Sequence, residues 1–190
     1  GASITNVLEF VKKVRTVTQI PLVCMGYINN VLTYGVEKFV LAAKSAGLDG
    51  AIIPDLPYEE ASNMLDICKK NDFSLINFVT PNTTAQRINE TCKNADGFIY
   101  CVSVNGVTGV REIDYTPINE VVKIVKQQTQ TPVAIGFGIG TPAAAKAASS
   151  VADNIIVGSA VMQKLMAEGL TAYGELIKTI RQALDEGSQV

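Results

Sequence analysis

Histidine is missing from these 190 residues, and charge is scarce, with acidic and basic side chains together only 18%. A zinc site that mixes thiolate with imidazole therefore has no imidazole to draw on. Cysteine is sparse too. Cys24, Cys68, Cys92 and Cys101 are widely spaced and form no C-x-x-C pair, so they read as reduced thiols of a cytosolic protein. Cys24 and Cys101 fall in apolar runs, where a free cysteine serves as a small buried hydrophobe. There is no block of like charge either. Sixteen basic residues against eighteen acidic ones give a net charge of −2, with no footprint for nucleic acid or an anionic lipid surface. No apolar run approaches the ~20 residues of a membrane span, and no charged-then-apolar leader is expected. The chain opens on Gly1-Ala2-Ser3, without methionine and already inside an amphipathic pattern, as a cut start would.

What is present is apolar mass. At 47% hydrophobic the chain has enough for one sizeable core, and residues 1–190 are expected to form a single domain. Six runs rich in Val and Ile suit strands buried on both faces: Pro21 to Met25, Ala51 to Pro54, Leu75 to Thr80, Phe98 to Val102, Pro132 to Gly136 and Asn154 to Gly158. Helical spacing fills the gaps, as at Val36, Phe39, Val40 and Ala43, and at Ile118, Val121, Val122 and Ile124. Strict alternation of strand and helix implies a parallel α/β sheet, either doubly wound or a TIM (βα)8 barrel. Ile4, Leu8, Val11 and Val14 form a helical stripe ahead of the first strand, and a right-handed crossover makes that helix the sequel to an upstream strand.

The fifth strand runs into Gly136-Phe137-Gly138-Ile139-Gly140-Thr141-Pro142, and the sixth into Val157-Gly158-Ser159-Ala160. Glycine lets backbone amides approach an anion, and Ser159 adds a hydroxyl at the positive end of a helix dipole. The alternative is that these glycines serve only tight packing of helix on strand. Barrels hold phosphate in the loops after strands seven and eight. On that count the strand at Pro21 is the third, and the chain covers strands 3–8 of a partial barrel that lacks strands 1–2.

These segments, with Pro21 to Asn29, Ile53-Pro54-Asp55-Leu56-Pro57, Gly97 to Tyr100 and Gly106-Val107-Thr108-Gly109, resemble tryptophan synthase α chains in order and spacing. The resemblance implies a lyase that splits indole-3-glycerol phosphate into indole and glyceraldehyde 3-phosphate. That chemistry delivers a proton to the indole ring carbon and removes protons from the ring nitrogen and a glycerol hydroxyl. The family's principal glutamate and aspartate would lie upstream of Gly1. Tyr100 then resembles a supporting active-site tyrosine, Met25 and Tyr27 resemble the indole pocket, and Gly109, Phe137, Gly138, Gly158 and Ser159 resemble the phosphate grip. Thr108 matches a residue of a closing lid, expected over Ser103 to Asp114.

The same resemblance places Asn29, Asn30, Asp55, Leu56 and Pro57 against a β subunit, whose pyridoxal phosphate would belong to that partner; this chain is expected to hold no cofactor. Core packing is the plainer role for the two tyrosines. For Asp55 it is a cap on a helix starting at Pro57. Three positions depart from the family: Asn30 stands where proline is common, Gly140 where serine or threonine is, and Val104 where some members have arginine. Two rival readings are a sugar-phosphate isomerase or epimerase, whose metal-dependent kind wants histidine ligands, and a non-catalytic barrel fragment that binds the β subunit. Loss of two strands bares sheet edges and apolar surface, so an upstream segment is expected as a separate piece.

Overall fold

Six short strands alternate with helices in the computed structural model, which describes residues 3–102, 114–136 and 138–187. The chain divides into two compact units, Gly1–Asn77 with Asn94–Gly97, and Phe78–Lys93 with Phe98–Val190.

Helix α1 (Ile4–Arg15) opens the first unit, with the Ser3 hydroxyl accepting the Asn6 amide and Lys12, Lys13 and Arg15 at the negative end of the dipole. Its expected stripe buries Leu8 and Val11. Then follow β1 (Val23–Met25), α2 (Ile28–Tyr34), α3 (Val36–Ala46), β2 (Gly50–Ile52), a 3₁₀ turn (Tyr58–Glu60), α4 (Ser62–Lys70) and β3 (Ser74–Val79). β1 pairs with β2 and β2 with β3, both parallel, Val23 facing Gly50 and Gly50 facing Ser74. Phe39, Val40, Ala43, Leu48, Met64 and Phe73 fill the core, the Phe39 and Phe73 rings meeting edge to face at 6.4 Å.

The second unit takes in the last two residues of β3 and adds α5 (Ala85–Lys93), β4 (Ile99–Cys101), α6 (Thr116–Gln128), β5 (Val133–Ile135), α7 (Pro142–Ser149), β6 (Asn154–Ile155) and α8 (Ser159–Gly187). β4, β5 and β6 pair in that order, all parallel, and the Val102 amide donates to the Val79 carbonyl at 3.0 Å. Helix α6 buries Ile118, Val121 and Val122 as expected. Its fourth core residue is Val125 and not Ile124, because seven residues are almost two full turns from Ile118 and six are not. Helix α8 breaks at Gly169, where φ is +84°.

Strand order follows chain order among the described strands, so the reversal that defines a doubly wound sheet is absent and that alternative falls. Each expected strand is present, five of them shorter and β3 of the same six-residue length but one position earlier. Pro21, Pro54 and Pro132 all lie outside, since proline has no N–H to give a ladder.

Three aspartates tie strands together in pairs at their N-terminal ends. Asp49, just before β2, accepts the Leu22 amide at 2.7 Å and the Arg15 guanidinium at 2.6 Å. Asp96, before β4, accepts the Ser74 hydroxyl at 2.9 Å at the start of β3. Asp153, before β6, accepts the Val133 amide at 2.9 Å and the Lys126 ammonium at 2.7 Å. Burial raises the Asp153 pKa, but Lys126 and the Val133 amide outweigh it and hold the carboxyl below its ordinary 3.8. A depressed folded value means that the stabilisation is complete above the unfolded pKa and fades as pH falls through the folded one. Asp153→Ala is expected to cost about 1 kcal/mol at pH 7, chiefly from leaving the buried Val133 amide unpaired. Urea unfolding should show that difference shrinking below about pH 4; a difference independent of pH would sink the assignment.

Candidate functional site

In the second unit the ends of β4, β5 and β6 carry the expected residues. Tyr100, half-buried on β4, stacks on Phe78 of β3 with ring centroids 5.3 Å apart and planes at 24°. Its hydroxyl donates to the Gly136 carbonyl over a long 3.4 Å. Burial raises the tyrosine's pKa above 10, so the hydroxyl keeps its proton at neutral pH and acts as a donor. A Cβ at Gly136 would stand 2.5 Å from Cε2 and 2.6 Å from Cζ of this ring, so only glycine seats it.

Beyond Gly136 the β5 corner passes through Gly138, at φ +66°, to Thr141, whose hydroxyl accepts the Ala144 amide at 3.1 Å and starts α7 ahead of Pro142. The β6 corner reaches Gly158, and Ser159 begins α8, both exposed. The two corners adjoin: a Cβ at Gly140 would lie 3.0 Å from the Ala160 Cβ. Serine or threonine at 140 would require Ala160 to give by a few tenths of an ångström. Around Gly158, in contrast, a Cβ would meet nothing within 4 Å. Tight packing therefore accounts for glycine at 136 and 140 but not at 158, where open space lies beside the positive end of α8.

The first unit holds Met25 and Tyr27, 59% and 64% exposed at the C-terminal end of β1. Both border a cavity of about 180 Å³ whose lining includes Leu8, Cys24 and Ile53. Asp55 does not cap a helix at Pro57, where only the 3₁₀ turn begins. Its carboxylate accepts the Ile28 amide at 2.9 Å, at the start of α2, and so joins the segment with Leu56 and Pro57 to the one with Asn29 and Asn30. Leu56 is half-buried and the other four are exposed.

Burial pushes the Cys24 thiol up to about 11 and Cys101 to about 12; for Cys68, also about 12, the Asp96 carboxylate adds to burial. None is a thiolate at neutral pH. Among the described residues no group of three or more acidic, cysteine or histidine side chains is placed to hold a metal, and no helix is long and apolar enough to cross a membrane. Val104, Thr108, Gly109 and Phe137 lie outside the described residues. Phe78 was not anticipated, because β3 is buried on both faces and shows no alternation to say which side chains face the strand ends.

A family model described as tryptophan synthase alpha chain matches residues 1–186. The chain belongs to the tryptophan synthase alpha chain family. The tryptophan synthase alpha chain of a Thermoanaerobacter species is 45% identical over 165 residues, 87% of this chain and 63% of its own length. The chain thus spans less than two thirds of that relative. The crystal structure of the Legionella pneumophila alpha chain superposes with a TM-score of 0.89 at 31% identity, covering 100% of this chain and 72% of that one. A structure of a tryptophan synthase α2β2 complex from Pyrococcus furiosus gives 0.85 at 28%, covering 97% and 75%.

Proposed function

We propose that this chain supplies the phosphate grip and the indole wall of a lyase that cleaves indole-3-glycerol phosphate to indole and glyceraldehyde 3-phosphate in tryptophan biosynthesis. The observation that carries this reading is the meeting of the two glycine corners at Gly140 and Ala160, beside the open space at Gly158. One phosphate held near Gly138 and Ser159 needs no lysine or arginine there, because main-chain amides, the Ser159 hydroxyl and the α8 dipole supply the positive ends. Tyr100, protonated and stacked on Phe78, borders the reacting end, and Met25 and Tyr27 pack on the ring of the substrate. The family resemblance alone assigns Thr108 to a closing lid and Gly109 and Phe137 to the phosphate grip.

We assign the principal acid and base, a glutamate and an aspartate, to the part of the relatives' length that this chain does not span, on two further strands of the same domain. Exposed apolar side chains support this: Phe10, Val17 and Ile20 in the first unit are 60–83% exposed, and Met166 and Leu170 in the second exceed 70%. The face of Asn29, Asn30, Asp55, Leu56 and Pro57 meets a β subunit in a cytoplasmic α2β2 assembly, with pyridoxal phosphate confined to that partner.

The test is indole release from indole-3-glycerol phosphate. The 190 residues alone are expected to give none above background, and the same chain joined to the upstream segment of a relative is expected to give turnover. Indole from the 190 residues alone, or none from the joined protein, would overturn the division of labour.

A further inference from the structure

We infer that Asp55 is a positioning residue, which sets the substrate wall at Met25 and Tyr27 by holding the Ile28 amide; this rests on the proposed reading of those two residues. Helix α2 has Tyr27 at its N-cap, and that side chain makes no capping hydrogen bond. An uncapped first turn leaves amides without acceptors, which serine, threonine, asparagine or aspartate would ordinarily satisfy from the cap position itself. Here the acceptor comes from 27 residues further along, where the Asp55 Oδ1 takes the Ile28 amide at 2.9 Å.

A second bond fixes the other side of the same turn. The Gly26 amide donates to the Ile52 carbonyl at 3.1 Å, and the Leu56 amide closes its own turn onto the Ile53 carbonyl at 3.2 Å, which aims Asp55. Tyr27 is thereby held between two anchored neighbours, both anchored to the end of β2. Since Tyr27 and Met25 are largely exposed, little side-chain packing holds them, and the backbone sets their place. Asp55 is itself exposed and stands on the face proposed to meet the β subunit. A partner that engages this carboxylate would therefore alter the wall through one hydrogen bond.

The chain has four methionines, so ε-¹³C-methionine labelling gives four methyl signals, with Met25 assigned by Met25→Leu. Asp55→Ala is expected to speed hydrogen exchange at the Ile28 amide, to move the Met25 methyl signal while leaving that of buried Met64 in place, and to weaken indole binding about three- to tenfold. Asp55→Asn keeps an acceptor oxygen and should restore all three. Normal Ile28 exchange and unaltered indole affinity in Asp55→Ala would overturn the positioning role. A change of equal size at Met64 would reassign the effect to general loosening of the first unit and overturn it as well. Failure of indole to move the Met25 signal in the unsubstituted chain would remove the wall itself, and the inference with it.

Discussion

Gly136→Ala is expected to lower unfolding free energy by about 1–3 kcal/mol, the range for forcing a methyl into a filled site. In the joined protein of the proposed test it should also cut indole release, if that reading holds, by about a hundredfold, because small displacements near the chemistry are that costly. The added Cβ would enter the Tyr100 ring at Cε2 and Cζ, and nearer still to its hydroxyl. Both sides are constrained. Gly136 is buried between the ends of β4 and β5, its amide bound to the Cys101 carbonyl at 3.3 Å, and Tyr100 is backed by Phe78. Tyr100→Phe removes the hydroxyl but not the ring, so the Gly136→Ala penalty should persist in that background and largely vanish with Tyr100→Ala. Equal penalties in all three backgrounds, read from urea midpoints, would show that the ring is not what excludes the methyl.

Arg15→Ala should destabilise the first unit by about 2–3 kcal/mol, from the loss of charge-assisted hydrogen bonds discounted for the exposure of one partner. The guanidinium donates to the Gly47 carbonyl at 2.6 Å, the Ile20 carbonyl at 2.5 Å and the Asp49 carboxylate at 2.6 Å. It thus gathers the end of α1, the approach to β1 and the turn before β2. The arginine side chain is 16% exposed while Asp49 is 51% exposed, so most of the effect resides in the two carbonyls. Asp49→Asn should accordingly cost clearly less than Arg15→Ala in chemical denaturation; the reverse order would place the weight on the ion pair.

The strands were legible because each is a short Val- and Ile-rich run bounded by proline or glycine, and their parallel pairing follows from strict alternation. Alternation left chain order and the reversed order of a doubly wound sheet both open, and only the tandem glycine corners, which meet at Gly140 and Ala160, pointed to chain order. Asp55 illustrates what was hidden. Its nearest helix-like segment in sequence is the one after Pro57, so a local rule assigns it a local cap, yet it serves an amide 27 residues earlier. Phe78 was hidden for a different reason: in a strand buried on both faces periodicity carries no direction. Arg15 gave no signal in the sequence, since two of its three acceptors are main-chain carbonyls that no side-chain pattern announces.

The Asp153 tie and the glycine corners occupy opposite ends of β5 and β6, and this has an electrostatic consequence. From Val133, where Asp153 is bound, to Gly136 is three residues, about 10 Å of extended chain. That is roughly the Debye length at physiological ionic strength, so the charges of Lys126 and Asp153 are felt only weakly where a phosphoryl group would sit. Redistribution of ion pairs at the strand starts can thus alter thermal tolerance while anion affinity stays nearly constant.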